Sequence, residues 1–255
     1  MANIKFMWQA LEDTTITASS SSASGYPTAN LQDRDPAKKW ISGNMDEDQT
    51  LTFQFASALT VNSVIIENHN ILSTNGNPVN LRYSSNGSTY TTLSTFTLNN
   101  TIQHLEVTST SAIYWQIQWI KAGTGTDLSA APQIGNIFLG TRVEMTQPYD
   151  TGIEKSSGFS TSQTRAIDGT RYTSQLYNGL KKYKIKFTNI NETDKTSINT
   201  LFEGIRGSYF PFYFIDADST IVLVYSVNDE NPIQTKAYQI YDTAEVNLEA
   251  YSVNT

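Results

Sequence analysis

The chain offers little to chemistry that needs a nucleophile or a soft metal ligand. Its 255 residues include two histidines, His69 and His104, and no cysteine. Neither a thiolate site nor a multi-histidine zinc site can therefore form within one subunit. Gly158-Phe159-Ser160-Thr161-Ser162 is not the Gly-x-Ser-x-Gly of a nucleophile elbow. The glycine patterns that cradle phosphates are missing as well. A glycosidase would need two carboxylates clustered about a sugar bond, and nothing in the spacing shows such a cluster. Asp33-Arg34-Asp35-Pro36 brings two carboxylates together, with Arg34 placed to neutralise one. Asp216-Ala217-Asp218-Ser219-Thr220 opens like a calcium loop, yet lacks the later glycine and acid and reads as a hairpin turn. Asp46-Glu47-Asp48 reads as an exposed acidic turn. The aromatics that could stack on a sugar are Tyr26, Trp40, Tyr90, Trp115 and Trp119. Trp115 and Trp119 share one face of a regular strand and read as core, whereas Trp40 lies in or beside a loop. His69, between Asn68 and Asn70, reads either as a loop histidine bonded to backbone or as a side chain facing a ligand. His104, among Thr and Gln, packs or faces solvent.

The elements that must position these groups are mostly strands. Thr14 to Thr17 is a short strand; Leu51, Phe53 and Phe55 alternate with polar residues. Val61, Val64, Ile65 and Ile66 form a more continuous apolar run, which predicts burial on both faces. Val79, Leu81 and Tyr83 lead to Asn86-Gly87, a pair suited to a type I′ hairpin turn. Ile113, Trp115, Ile117 and Trp119 alternate strictly, and Ile134 to Gly140 closes the series. This spacing predicts an antiparallel β-sandwich over residues 1–141.

Beyond Gly140 the texture changes. Residues 142–180 are Ser/Thr/Tyr-rich and weakly periodic. One helix is predicted after Asn191-Glu192-Thr193-Asp194, with Ile198, Leu201, Phe202 and Ile205 on one face, Arg206 in its last turn and Gly207 following. Alternating strands come before and after it. Residues 142–255 thus read as an α+β domain with one main helix.

The bulk numbers narrow the partners. A net charge of −7 without a basic run is poorly suited to a phosphate backbone or to anionic lipid. No segment approaches the ~18 apolar residues of a membrane span, and the N-terminus has no sustained apolar stretch like that of a secretion signal. The expectation is synthesis in a cytoplasm, no membrane insertion and no nucleic-acid partner.

Four elements together carry a resemblance. They are Tyr26 to Leu31 leading to Trp40-Ile41-Ser42; Leu51 to Phe55 followed by Val61 to Ile66; the hairpin Leu81 to Leu93; and Tyr114 to Ile117 followed by Ile134 to Gly140. Their order and spacing resemble the discoidin (coagulation factor 5/8 C-type) module, a galactose-binding-like jelly roll. The cysteines that tie the termini of secreted members are absent, which suits intracellular synthesis. The resemblance implies ligand loops at one end of the sandwich; Trp40, Asn68, His69 and Asn70, by their own types and their places in or beside such loops, are the candidate contacts. It also implies a structural Ca²⁺ at Asp33 and Asp35, for which a solvated turn is the alternative.

Cysteine-free modules of this kind, with Glu67-Asn68-His69-Asn70 after the central strand, look like those of tailed-bacteriophage structural proteins. Gly204 to Asp216 similarly resembles a segment of tail-tip and baseplate components. The reading that follows is a non-enzymatic virion component without a cofactor, assembling with copies of itself and other tail proteins. Its basic segment, with Arg165, Arg171, Lys181 and Lys182, would form the assembly interface. The alternative is a carbohydrate-binding protein that recognises host surface glycans through the sandwich loops.

Overall fold

The strict alternation around Phe53 and Trp115 becomes the inner face of two long paired strands. The computed structural model describes residues 3–8, 11–35, 37–44, 48–71, 78–98, 102–120, 131–146 and 153–251, less the side chains of 159–161 and 175–179. In chain order the first strands are β1 (Lys5–Met7), β2 (Thr15–Ala18), β3 (Trp40–Ile41), β4 (Gln49–Glu67), β5 (Val79–Ser84) and β6 (Thr91–Phe96). They are followed by β7 (Ile102–Trp119), β8 (Gln133–Ile134), β9 (Asn136–Gly140), β10 (Val143–Glu144), β11 (Glu154–Arg165) and β12 (Arg171–Ile185). Helix α1 (Glu192–Ile205) precedes β13 (Phe212–Ile215), β14 (Ile221–Ser226), β15 (Ile233–Ala237), β16 (Ile240–Thr243) and β17 (Val246–Ala250). Among the described residues no helix is long and apolar enough to cross a membrane.

The chain divides into two compact units, Gln9–Arg142 and Met1–Trp8 with Val143–Asn254. In the first, β4 and β7 run antiparallel along their whole length, with the register broken between Gln54 and Leu59 and between Val61 and Ser63. Those breaks let each strand serve both layers. The first half of β4 meets the second half of β7, which also pairs with β5. The second half of β4 lies between the first half of β7 and β9. Phe53, Leu81, Trp115 and Ile117 from one layer thereby share a core with Val64, Ile66, Leu105, Ile137 and Leu139 from the other. This is the mainly β sandwich that the periodicity predicts.

The β5–β6 connection departs from expectation. Asn86 does not take positive φ, and only Gly87 does, at +73°. Instead of a two-residue type I′ turn, residues 85–90 form a longer loop closed by side chains. Ser84 Oγ accepts the Asn86 and Gly87 N–H groups at 3.2 and 3.0 Å. Asn86 Oδ1 accepts those of Ser88 and Thr89 at 2.9 and 3.0 Å. Asn and Ser bonding to nearby backbone supply the same groups that a primed turn would.

The second unit is a sheet of order β10-β1-β13-β14-β17-β12-β11 with α1 on one face. Residues 1–8, expected with the sandwich, belong here. Phe6 pairs with Val143 and Phe214 across the two neighbouring strands, and Ile4 and Phe6 fill this unit's core. The helix starts where predicted: Asn191 caps it by accepting the Asp194 N–H. It ends in Arg206, at φ +53°, and Gly207, at φ +69°. Ile198, Leu201, Phe202 and Ile205 pack with Phe187, Phe212 and Phe214.

The weakly periodic stretch folds into the β11–β12 hairpin, paired from Glu154↔Lys184 to Arg165↔Arg171. Only Lys182–Ile185 of β12 also pair with β17. Beyond Lys181 the ribbon is an arm with no third strand among the described residues, and its described side chains outside residue 180 are exposed or nearly so. Where the side chains lie in water, no apolar alternation is required, and the pattern there is faint in sequence.

Candidate functional site

The strand pairings bring the ends of β3, β4, β7 and β8 to one end of the sandwich. There β3 pairs with β8 through Trp40↔Ile134 and Ile41↔Gln133. Residues 68–71, leaving β4, are bonded to the segment entering β8. Asn70 Nδ2 donates to the Ala131 carbonyl at 2.8 Å, and Asn70 Oδ1 accepts the Gln133 N–H at 3.0 Å. The Gly135 N–H donates to the carbonyls of Glu67 and Asn68, each at 3.1 Å. Asn68 adopts φ +53°, turning the chain out of β4. His69 is buried, and its Nδ1 accepts the Ile71 N–H at 3.2 Å. Asn68, His69 and Asn70 are thus brought together: the Asn68 carbonyl and the Asn70 amide brace the chain around β8, and His69 is buried beside them.

Trp40 is fully buried, its indole stacked on Trp119 with centroids 5.7 Å apart and planes at 21°. Its Nε1 donates to Ser22 Oγ at 3.1 Å. A ring so enclosed has no face left for a sugar, which corrects the expectation of a stacking role. Trp115 and Trp119 are buried too. The aromatic that this end does present is Tyr26, 43% exposed. Its carbonyl accepts the Ile41 N–H at 3.4 Å, which holds it beside β3. A polar cluster links β3 to β4: Gln49 Oε1 accepts from Ser20 Oγ at 2.6 Å and from Ser42 Oγ at 2.9 Å.

Asp33 and Asp35 each have partners within their own loop. Asp33 Oδ1 accepts the Asp35 N–H at 3.0 Å, its other oxygen is ion-paired with Lys38, and Asp35 Oδ1 accepts the Ala37 N–H at 3.0 Å. The Lys38 hydrogen bond, helped by the Asp35 N–H, holds the Asp33 carboxyl below its ordinary value despite partial desolvation. Among the described residues no group of three or more His, Asp or Glu is placed to hold a metal ion. A Ser–His contact exists between Ser63 Oγ and His104 Nε2 at 3.0 Å. Ser63 has no exposed surface, so no substrate reaches its hydroxyl.

The four basic residues are scattered along the arm and its root. Arg165 and Arg171 face each other across the last rung, and Lys181 lies opposite Ser157. Lys182 is ion-paired with Glu249 at 3.1 Å. Two features escaped the sequence. Ile167, between the arginines at the arm's tip, is fully exposed. At the fold-over of β4, a cavity of about 260 Å³ is lined by Glu12, Asp13, Thr14 and residues 55–59. Its only sequence trace is the short apolar run Phe55-Ala56-Ser57-Ala58-Leu59, which reads as a continuation of the strand.

Solved structures similar to this chain include carbohydrate-binding modules. CpGH89CBM32-5 from Clostridium perfringens, in complex with GalNAc-beta-1,3-galactose, is 11% identical with a TM-score of 0.45, covering 53% of this chain and 99% of its own. Chitosan-binding module 1 from the chitosanase/glucanase of Paenibacillus sp. IK-5 is 21% identical with a TM-score of 0.44, covering 52% and 99%. No curated protein gives a significant match. Residues 15–131, from β2 through β7, match the family model described as F5/8 type C domain. Over those residues the sandwich is similar to an F5/8 type C, discoidin-like domain.

Proposed function

We propose that this protein is a non-catalytic carbohydrate-binding protein, with the loop end of the sandwich beside Tyr26 as its glycan site. One observation carries the reading. On a sandwich similar to an F5/8 type C domain, whose tryptophans at this end are interior, the exposed Tyr26 ring stands on backbone pinned to β3. An aromatic face of this kind suits the apolar face of a pyranose, and the braced loops limit the ordering entropy lost on binding. The ligands named with similar solved modules, a GalNAc-galactose disaccharide and chitosan, are of the same class. A glycan microarray probed with the full chain, followed by calorimetry with the best free sugar, tests this. Binding that the free sugar competes away is expected, and an array without any such signal overturns the reading.

A second reading is favoured by the arm. A two-stranded ribbon standing alone is at best marginally stable in water, so it gains from contact with another molecule. Residues 154–186 hold seven Lys/Arg against two Asp/Glu; this +5 leaves −12 for the rest of a −7 chain. Such asymmetry steers contact between unlike faces. On this reading the protein is a virion part of a tailed bacteriophage, at the tail tip or baseplate, assembling with itself and other tail proteins. Size-exclusion chromatography with light scattering tests its self-association: a strict monomer up to high concentration removes it.

A further inference from the structure

The arm's tip and the fold-over cavity are complementary. The tip presents one branched aliphatic side chain, Ile167, fully in water, flanked by Arg165 and Arg171 on the facing strands. Its one acid, Asp168, accepts the Thr170 N–H at 2.9 Å within the turn. The cavity is lined by Phe55, Ala58 and Leu59 together with Thr14, Ser57 and the acids Glu12 and Asp13. Arg34 engages Glu12 at 2.8 Å, so the lining with its neighbouring Arg34 keeps a net negative charge while the tip keeps a net positive one. At about 260 Å³ it lies below the roughly 300–1,000 Å³ of ligand pockets but is larger than an isoleucine side chain.

We infer that the arm tip of one copy docks on the sandwich of a second copy, with Ile167 seated in the cavity and Arg165 and Arg171 facing Glu12 and Asp13. This rests on the assembly reading and names its contact. The two patches are different surfaces, so the contact is heterologous and adds copies head to tail. Burying Ile167 removes an exposed apolar group from water, and the charges set the direction of approach.

The test uses the full chain in sedimentation velocity. Ile167→Asp disables the tip, and Ala58→Trp fills the cavity from its exposed rim. Each is expected to weaken self-association at least tenfold without moving the thermal unfolding midpoint. Mixed in equal amounts, the two variants retain one working tip and one working cavity, so a heterodimer forms and nothing larger. Should either variant lose its fold, the charge pair Arg171→Glu with Asp13→Arg takes its place: each alone weakens association, and the two changes together restore it. A monomeric wild type overturns both this contact and the assembly reading. A wild type that associates, with variants that associate equally well or a mixture that stays monomeric, overturns the contact alone.

Discussion

Trp40 stacks on Trp119 in the floor of the sandwich end, centroids 5.7 Å apart, and both rings are fully enclosed. The pair joins β3 to β7 and supports the loops above. Trp40→Ala should cost about 3–5 kcal/mol, the usual loss for a buried aromatic truncated to alanine. Urea denaturation followed by circular dichroism measures it. A variant of wild-type stability that loses only sugar binding would show that the ring works at the surface.

Tyr26 carries the opposite expectation. Its ring is largely in water, so Tyr26→Ala should leave the unfolding midpoint within about ±0.5 kcal/mol of wild type. Affinity for the sugar found on the array should fall tenfold or more, with Tyr26→Phe close to wild type. Unchanged affinity in the alanine variant would move the glycan site elsewhere.

Asn70 makes two bonds across a gap, one through each end of its amide. Asn70→Ala leaves the Ala131 carbonyl and Gln133 N–H without it, a loss of about 1–3 kcal/mol. Asn70→Asp should do no better, because it sets a carboxylate oxygen against the Ala131 carbonyl. Hydrogen exchange at the Gln133 amide should accelerate in both. Protection at that amide equal to wild type would refute the bracing role.

Gly204 lies in α1 where a Cβ would strike the Trp8 indole. Alanine there gains about 0.8–1.0 kcal/mol of helix propensity. Overpacking against an aromatic costs about 1–3 kcal/mol, so Gly204→Ala should be destabilising on balance. In a Trp8→Ala background the same change should become neutral or stabilising. Additive effects in that double-mutant cycle would deny the contact.

Asp218 carries a pH dependence. The Thr220 hydroxyl and N–H, with Lys155 at 3.3 Å, lower its carboxyl to about 2. The unfolded carboxyl, near 3.9, takes up its proton first as the pH falls. The contribution to stability is therefore fully present above about pH 4 and lost as pH drops towards 2. Asp218→Asn keeps an oxygen for Thr220 but removes the titration, so its melting temperature should fall less than wild type between pH 5 and 2.5. Parallel curves would sink this account. The group is well exposed, so the effect is expected to be small.

Local signals carried the parts of the fold that depend on local forces. The cap at Asn191 and the apolar face of α1 are set by backbone groups and side chains within a few residues, and helix α1 begins where they predict. The alternation in β4, β5 and β7 likewise tells which face is inside. The Asn86-Gly87 turn shows the limit, because Ser84 and Asn86 side chains offered a competing set of hydrogen bonds that a dipeptide rule does not weigh.

The sequence by itself determined a mainly β protein with one main helix in its second half, since hydrophobic period and helix capping are properties of neighbouring residues. Only the tertiary structure decided what each candidate side chain does. Trp40 became core because Trp119, far along the chain, covers it; Asn70 became a brace because the segment before β8 folds back onto it. Residues 1–8 joined the second unit because its sheet edge pairs with them. The arm and the cavity at Glu12 and Asp13 exist only once distant strands have paired, and burial and exposure of this kind are properties of the assembled chain.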